Sequence, residues 1–290
     1  MRHAVRRLLC LLVLAPILAI GLAVPASAHP AQGIGVLELP RLPGPLRIPG
    51  LPLSSPPGSN DFSCRPSAAK PYPVVLVHGT FADSWISWQS LSPMLANDGY
   101  CVFALDYGRR GTGPIENSAA QLGDFVDRVL AATGAAKVSL VGHSQGGMMP
   151  RYYLRFLEGA AKVDELIGLA PSNHGTTQPL APVTGLFCTA CTQQRAGSAF
   201  ISNLNAGHEV EAGVDYTVVT TRYDEVVIPH RSGYLAGPTA QVTNVTVQTR
   251  CPLDLTDHLG IIYDAPALRW VQHALLTDGP ASPTFQPHCL

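Results

Sequence analysis

Apolar residues along the chain fall into short, nearly unbroken runs, separated by longer stretches in which they recur every three or four positions. The runs Val74 to Val77, Cys101 to Leu105 and Val138 to Val141 contain almost no polar residue. Such continuity is expected of strands covered on both faces, which places them in a parallel sheet. Leu166 to Leu169, Tyr216 to Thr220 and Val242 to Val247 extend the set to six strands, with threonines alternating through the last two. Between the second and third runs, Leu122, Phe125, Val126, Val129 and Leu130 keep helical spacing. The capping-box pattern Ser118-Ala119-Ala120-Gln121 precedes them and Gly134 follows, so an amphipathic crossover helix is predicted to start at Ser118. Strand, helix and strand in this order wind right-handed and put a site at the carboxyl ends of the strands. The predicted class is α/β: a mostly parallel sheet of about six strands with helices on both faces.

The start of the chain follows a different pattern. Arg2, Arg6 and Arg7 precede an apolar run from Leu8 to Val24, which ends in Ala26-Ser27-Ala28. This is the layout of a secretory signal peptide over residues 1–28, and Pro16, Gly21 and Pro25 interrupt the run too early for a membrane span. Residues 29–60 read as a Pro-rich N-terminal arm, with seven prolines between Pro40 and Pro57 that favour extended, unpaired chain. Residues 61–290 read as one domain, with no internal repeat. Cleavage after residue 28 removes three of the 19 basic residues, leaving 16 against 20 acidic ones, a net charge of −4. A mildly acidic exported protein with no basic excess argues against nucleic acid as the main partner.

Cys10 leaves with the signal, so Cys64, Cys101, Cys188, Cys191, Cys251 and Cys289 remain. An even number in an oxidising compartment implies disulfides, and fifteen pairings are open. Neighbourhood along the chain suggests Cys64 with Cys101, Cys188 with Cys191, and Cys251 with Cys289. The rival for Cys188 and Cys191, half of a zinc site, lacks a second CxxC or HxxxH partner, so no metal is expected.

The chemistry begins directly after the third run. Gly142-His143-Ser144-Gln145-Gly146-Gly147 fits G-x-S-x-G, the nucleophile elbow. Small residues two positions either side let Ser144 sit in a strained strand-to-helix turn, with its hydroxyl clear of the sheet. The turn also leaves the backbone N–H of Gln145 at a helix start, where free donors favour negative charge. A Gly-rich turn needed only for close packing would account for Gly146 and Gly147 but not for Ser144. After the first run, His78-Gly79-Thr80-Phe81 is where the other oxyanion donor is expected, at the N–H of Thr80. Each such donor lowers the barrier by roughly 3 to 4 kcal/mol. The Thr80 hydroxyl is a candidate third donor, and His78 is expected to hold the loop.

A serine hydroxyl needs a base, and the base needs an orienting carboxylate. In this architecture both follow the serine, acid first. Asp224 stands at the carboxyl end of the fifth run, with Glu225 as its rival. His258 falls in the loop after the last strand, whereas His230 precedes that strand, His273 lies in the terminal helix and His288 in a Pro-rich tail. A Cys251–Cys289 bridge would brace the His258 loop. Between the fourth and fifth runs, the excursion from Pro171 to Asn205 is expected to border the acyl site through Leu180, Val183, Leu186 and Phe187, while His174 is expected to be structural.

The segments VVLVHGTF, GHSQGGMMPRYY, LAPSNHGTT, TRYDEVVIP and CP…DHLGI resemble the secreted actinobacterial lipases and esterases of the class 2 lipase group in the α/β-hydrolase superfamily. The likeness spans about residues 60 to 275. It implies an α/β-hydrolase fold, Ser144, Asp224 and His258 as the triad, Thr80 and Gln145 at the oxyanion positions, and no organic cofactor. Calcium is not expected, because no clustered carboxylates would supply its oxygens. The reading is a secreted serine esterase acting on lipid or other ester substrates, with triacylglycerols leading. It is expected to be a monomer making transient contact with lipid interfaces. Alternatives are a carboxylesterase or polyester hydrolase, a cell-envelope acyltransferase, and a non-catalytic binding module.

Overall fold

Residues 55–178 and 187–289 are described by the structure, a computed structural model. The expected signal peptide and most of the arm lie outside the described residues, as do Leu180, Val183 and Leu186. Six strands form one all-parallel sheet: β1 (Val74–Val77), β2 (Val102–Leu105), β3 (Val138–His143), β4 (Val163–Leu169), β5 (Asp215–Thr220) and β6 (Val242–Thr246). Their order is β2-β1-β3-β4-β5-β6.

The near-continuous apolar runs are explained by what covers them. Val75, Val77, Phe103, Leu105 and Leu140 face one core, shared with α2 (Ile115–Thr133) and α3 (Gln145–Phe156). Val74, Leu76, Val102, Ala104 and Val141 face the other, shared with α1 (Leu91–Asn97) and α6 (Ala265–Ala274). Neighbouring positions of one strand therefore point into opposite cores, which is why these runs are apolar at successive positions. Two further short helices, α4 (Thr189–Gln193) and α5 (Ala199–Leu204), belong to the excursion between β4 and β5.

The crossover helix departs from expectation at its start. It begins at Ile115 after Pro114, so Ser118 lies inside it, and Ser118 Oγ–H donates back to the Pro114 carbonyl at 3.2 Å. The N-terminal donor of Ile115 is capped from elsewhere, by Gln193 Oε1 at 2.8 Å. Its end is as expected: Gly134 takes the left-handed conformation at φ 74° and closes the helix onto the Leu130 carbonyl. The last strand also stops one residue short of the predicted run, because Val247 opens a single helical turn. All three disulfides join the suggested pairs, Cys64–Cys101, Cys188–Cys191 and Cys251–Cys289. Residues 55–60 pack on the edge strand, with the Asn60 side chain donating to the Ala104 carbonyl at 3.0 Å and accepting its N–H at 2.8 Å.

The fourth strand starts three residues before the predicted run, which Glu165 cut short; this residue is buried within the strand, where Ser139 Oγ–H donates to Oε1 at 3.2 Å. Burial, with the nearby Asp164 second, pushes its carboxyl up to about 8. The folded state therefore keeps a proton that the unfolded chain releases near pH 4.5, and stability falls as pH rises from there through about 8. Glu165→Gln removes this penalty. Melting curves should show little difference between variant and wild type at pH 4, and the variant melting higher at pH 9, on the order of 5 °C.

Candidate active site

The strand order reverses direction at β1 and β3, so the loops leaving their carboxyl ends diverge and open a crevice. The loop after β1 carries Thr80, and the turn after β3 carries Ser144. Ser144 sits at φ 54°, ψ −121°, a conformation that L-residues avoid, between the end of β3 and the start of α3. The flanking glycines permit it. A Cβ on Gly142 would lie 1.8 Å from the Gly146 carbonyl oxygen, and one on Gly146 would lie 2.2 Å from that of Val77. The Ser144 N–H is tied to the Leu169 carbonyl at 2.9 Å, which anchors the turn to β4.

Asp224 follows β5 and is held by its own loop, with Oδ1 accepting the N–H groups of Val226 at 3.0 Å and Val227 at 2.7 Å. The other oxygen, Oδ2, accepts Nδ1–H of His258 at 2.9 Å, and both side chains are buried. The proton on Nδ1 leaves Nε2 as the free base of the neutral ring. Glu225, the rival acid, does not reach the ring; it accepts the His258 backbone N–H at 3.2 Å. Further bonds knit the Asp224 and His258 loops, among them Thr221 Oγ1–H to the Thr256 carbonyl at 2.5 Å.

His143 has a role that its place in the motif did not disclose. Its Nε2–H donates to the His258 carbonyl at 2.8 Å, and the two rings lie 4.8 Å apart. Burial, then the neighbouring His258, pushes His143 down to about 3, so it is neutral and keeps this geometry near neutral pH. His78 is a loop anchor as expected. It is buried, stacks on Tyr107 at 4.3 Å, donates from Nδ1 to the Gly79 carbonyl and accepts the Tyr107 N–H at Nε2.

Ser144, His258 and Thr80 border one cavity of about 430 Å³. Its remaining wall is mostly apolar, including Phe81, Ile86, Val226, Leu259, Ile262 and Tyr263. No hydrogen bond joins Ser144 to His258 among the described contacts; such pairs often tighten only when substrate binds. Gln145 opens α3, so its N–H has no intrahelical acceptor, and among the described residues the Thr80 N–H has none either. Phe187 is 80% exposed and does not line the cavity. His174 is structural, donating from Nδ1 to the Ser232 carbonyl and pairing through Nε2 with Glu209, each at 2.9 Å.

The Cys251–Cys289 bridge closes a 38-residue separation and begins at the buried end of the His258 loop. Cys289→Ser is expected to cost about 2–4 kcal/mol of stability and to lower ester turnover well below its melting temperature. Unchanged turnover in the folded variant would remove the bracing role.

The family profile described as Lipase (class 2) matches residues 71–270. The chain belongs to the class 2 lipase family. Individual relatives of this class 2 lipase align over a shorter stretch. A triacylglycerol lipase of Pseudarthrobacter phenanthrenivorans is 41% identical over 92 residues, covering 29% of this chain and 28% of the relative. One of Burkholderia plantarii is 41% identical over 92 residues, covering 29% and 25%. The match thus spans about a quarter of these curated relatives. Among solved structures, Aspergillus fumigatus lipase B superposes with a TM-score of 0.69 at 23% identity, over 79% of this chain and 57% of that one. At that identity the likeness establishes the fold, an α/β-hydrolase. The chain carries three disulfides, in accord with an oxidising compartment. Among its described residues no helix is long and apolar enough to cross a membrane.

Proposed function

We propose that the protein is a secreted serine esterase that hydrolyses carboxylic esters of lipid type, triacylglycerols foremost, through an acyl-enzyme. One observation carries this reading: Ser144, in its strained turn, shares an apolar cavity with a histidine whose Nδ1–H is fixed by a buried carboxylate at 2.9 Å. His258 Nε2 takes the Ser144 proton as Oγ attacks the ester carbonyl, and Asp224 stabilises the imidazolium that forms. The tetrahedral oxyanion accepts the N–H groups of Thr80 and Gln145, and His258 returns its proton to the departing alcohol. Water then repeats the sequence on the acyl-enzyme, and His258 finally restores the proton to Ser144.

The lining supports an apolar acyl chain over a charged or peptide substrate, since aliphatic and aromatic side chains dominate it. Around the mouth, Phe81, Ile86, Leu259 and Tyr263 are each 46 to 64% exposed, and Leu253 and Leu255 in the His258 loop are 94% and 74% exposed. A collar of this kind favours transient contact with a lipid surface. The test is a chain-length series of chromogenic esters beside an emulsified triglyceride, run on wild type and Ser144→Ala. Turnover of both substrate types by wild type, with a loss of about 10³-fold or more in the variant, is expected. Turnover retained by Ser144→Ala would refute the mechanism, and activity confined to short soluble esters would move the substrate class to carboxylesterase.

A further inference from the structure

Gln194 enters the site from the excursion between β4 and β5, directly after α4, where the buried Cys188–Cys191 bridge clamps the chain. It is itself buried and borders the cavity. Its Nε2 donates to Thr80 Oγ1 at 2.9 Å and to the Ala190 carbonyl at 3.2 Å, while Oε1 accepts Ser172 Oγ–H at 2.9 Å. The Gln145 side chain converges on the same hydroxyl. Its Nε2 donates to Thr80 Oγ1 at 3.1 Å and to the Gly111 carbonyl at 2.6 Å. Carbonyl oxygens only accept, so Ala190 and Gly111 fix which end of each amide faces Thr80.

A hydroxyl has two acceptor sites and one proton to give. Both acceptor sites of Thr80 are filled by amide N–H groups. Its own proton has no acceptor among the described residues, and Thr80 lines the cavity together with Ser144. We propose that Gln194 is a positioning residue for the oxyanion hole: together with Gln145 it saturates the Thr80 hydroxyl as an acceptor and so turns the Thr80 O–H into the cavity, where negative charge develops. The inference rests on the acyl-enzyme reading above. No bond to Gln194 forms or breaks; its effect is to hold a donor ready, so that no reorientation is needed when the carbonyl oxygen becomes an oxyanion. The sign of the effect is specific. An alanine frees the hydroxyl to rotate, whereas an ionised glutamate accepts the Thr80 proton and turns it away from the cavity.

Steady-state kinetics on one soluble ester test this with Gln194→Ala, Gln194→Glu and Thr80→Val, alone and combined, each checked for a cooperative melt. Thr80→Val is expected to lower kcat by about 100-fold. Gln194→Ala should lower it by about 10-fold and Gln194→Glu by more, with KM within about 2-fold of wild type. In the Thr80→Val background both Gln194 substitutions should change kcat by less than about 2-fold, because the group they orient is gone. A merely structural glutamine would give losses that persist in that background, and that result overturns the proposal. So does a Gln194→Glu enzyme as fast as Gln194→Ala. Should Gln194→Ala fail to melt cooperatively, Gln194→Met, of similar length, replaces it in the same cycle. Retained activity in Ser144→Ala would instead indict the acyl-enzyme reading, which keeps the two failures apart.

Discussion

Asp224→Asn is expected to lower kcat by about 10⁴-fold while leaving the fold intact. The buried carboxylate holds His258 with its proton on Nδ1, at 2.9 Å from Oδ2. An asparagine can be held by the same Val226 and Val227 amides through Oδ1, and then it presents an NH₂ to the ring. The imidazole would have to accept at Nδ1 and carry its proton on Nε2, where it cannot take one from Ser144. Glu225→Ala provides the contrast. It removes only an acceptor for the His258 backbone N–H, and a loss of no more than about 10-fold is expected. Ester hydrolysis by the two variants, with circular dichroism as the control, separates them; equal losses would mean that Asp224 is not the orienting acid.

Gly142→Ala is expected to give the largest loss of stability of any single methyl addition at the site. The new carbon would sit 1.8 Å from the Gly146 carbonyl oxygen and 2.2 Å from its carbon, and both are backbone atoms of the helix that receives Ser144. No rotamer change relieves such a contact, so the turn must open or the helix must shift. A cost above about 4 kcal/mol follows, which corresponds to a fall in melting temperature of roughly 8–16 °C. Gly134→Ala is the comparison, because no atom lies within 4 Å of its added carbon and only the left-handed conformation at φ 74° is penalised. Its expected cost is about 1 kcal/mol. Similar melting temperatures for the two variants would contradict the steric account of the elbow.

The sheet was legible in the sequence because both faces of its strands are buried and the apolar runs record that directly. The elbow was legible for a steric reason: a turn at φ 54° with backbone this close on both sides tolerates glycine and little else at the flanking positions. Asp224 and His258 could be placed because each follows a strand end in a fixed order. The misplaced helix start has a long-range cause. Its cap is Gln193, 78 positions away from Ile115, while Ser118 sits against the Gly108 turn, where an added carbon would meet Ser118 Oγ at 2.5 Å. Still longer separations in sequence hid the roles of His143 and Gln194, whose partners lie 115 and 114 residues away. Glu165 interrupted the apolar run of β4 for a chemical reason, being a carboxyl that burial keeps protonated, which a residue alphabet records only as a charge.

The most direct test of the central claim is labelling with a fluorophosphonate ester, read by intact mass and peptide mapping. One adduct per chain is expected, located on Ser144, absent in Ser144→Ala and slowed by orders of magnitude in His258→Ala. An adduct elsewhere, or labelling of Ser144 at an unchanged rate without His258, would contradict the claim that this serine is activated by this histidine.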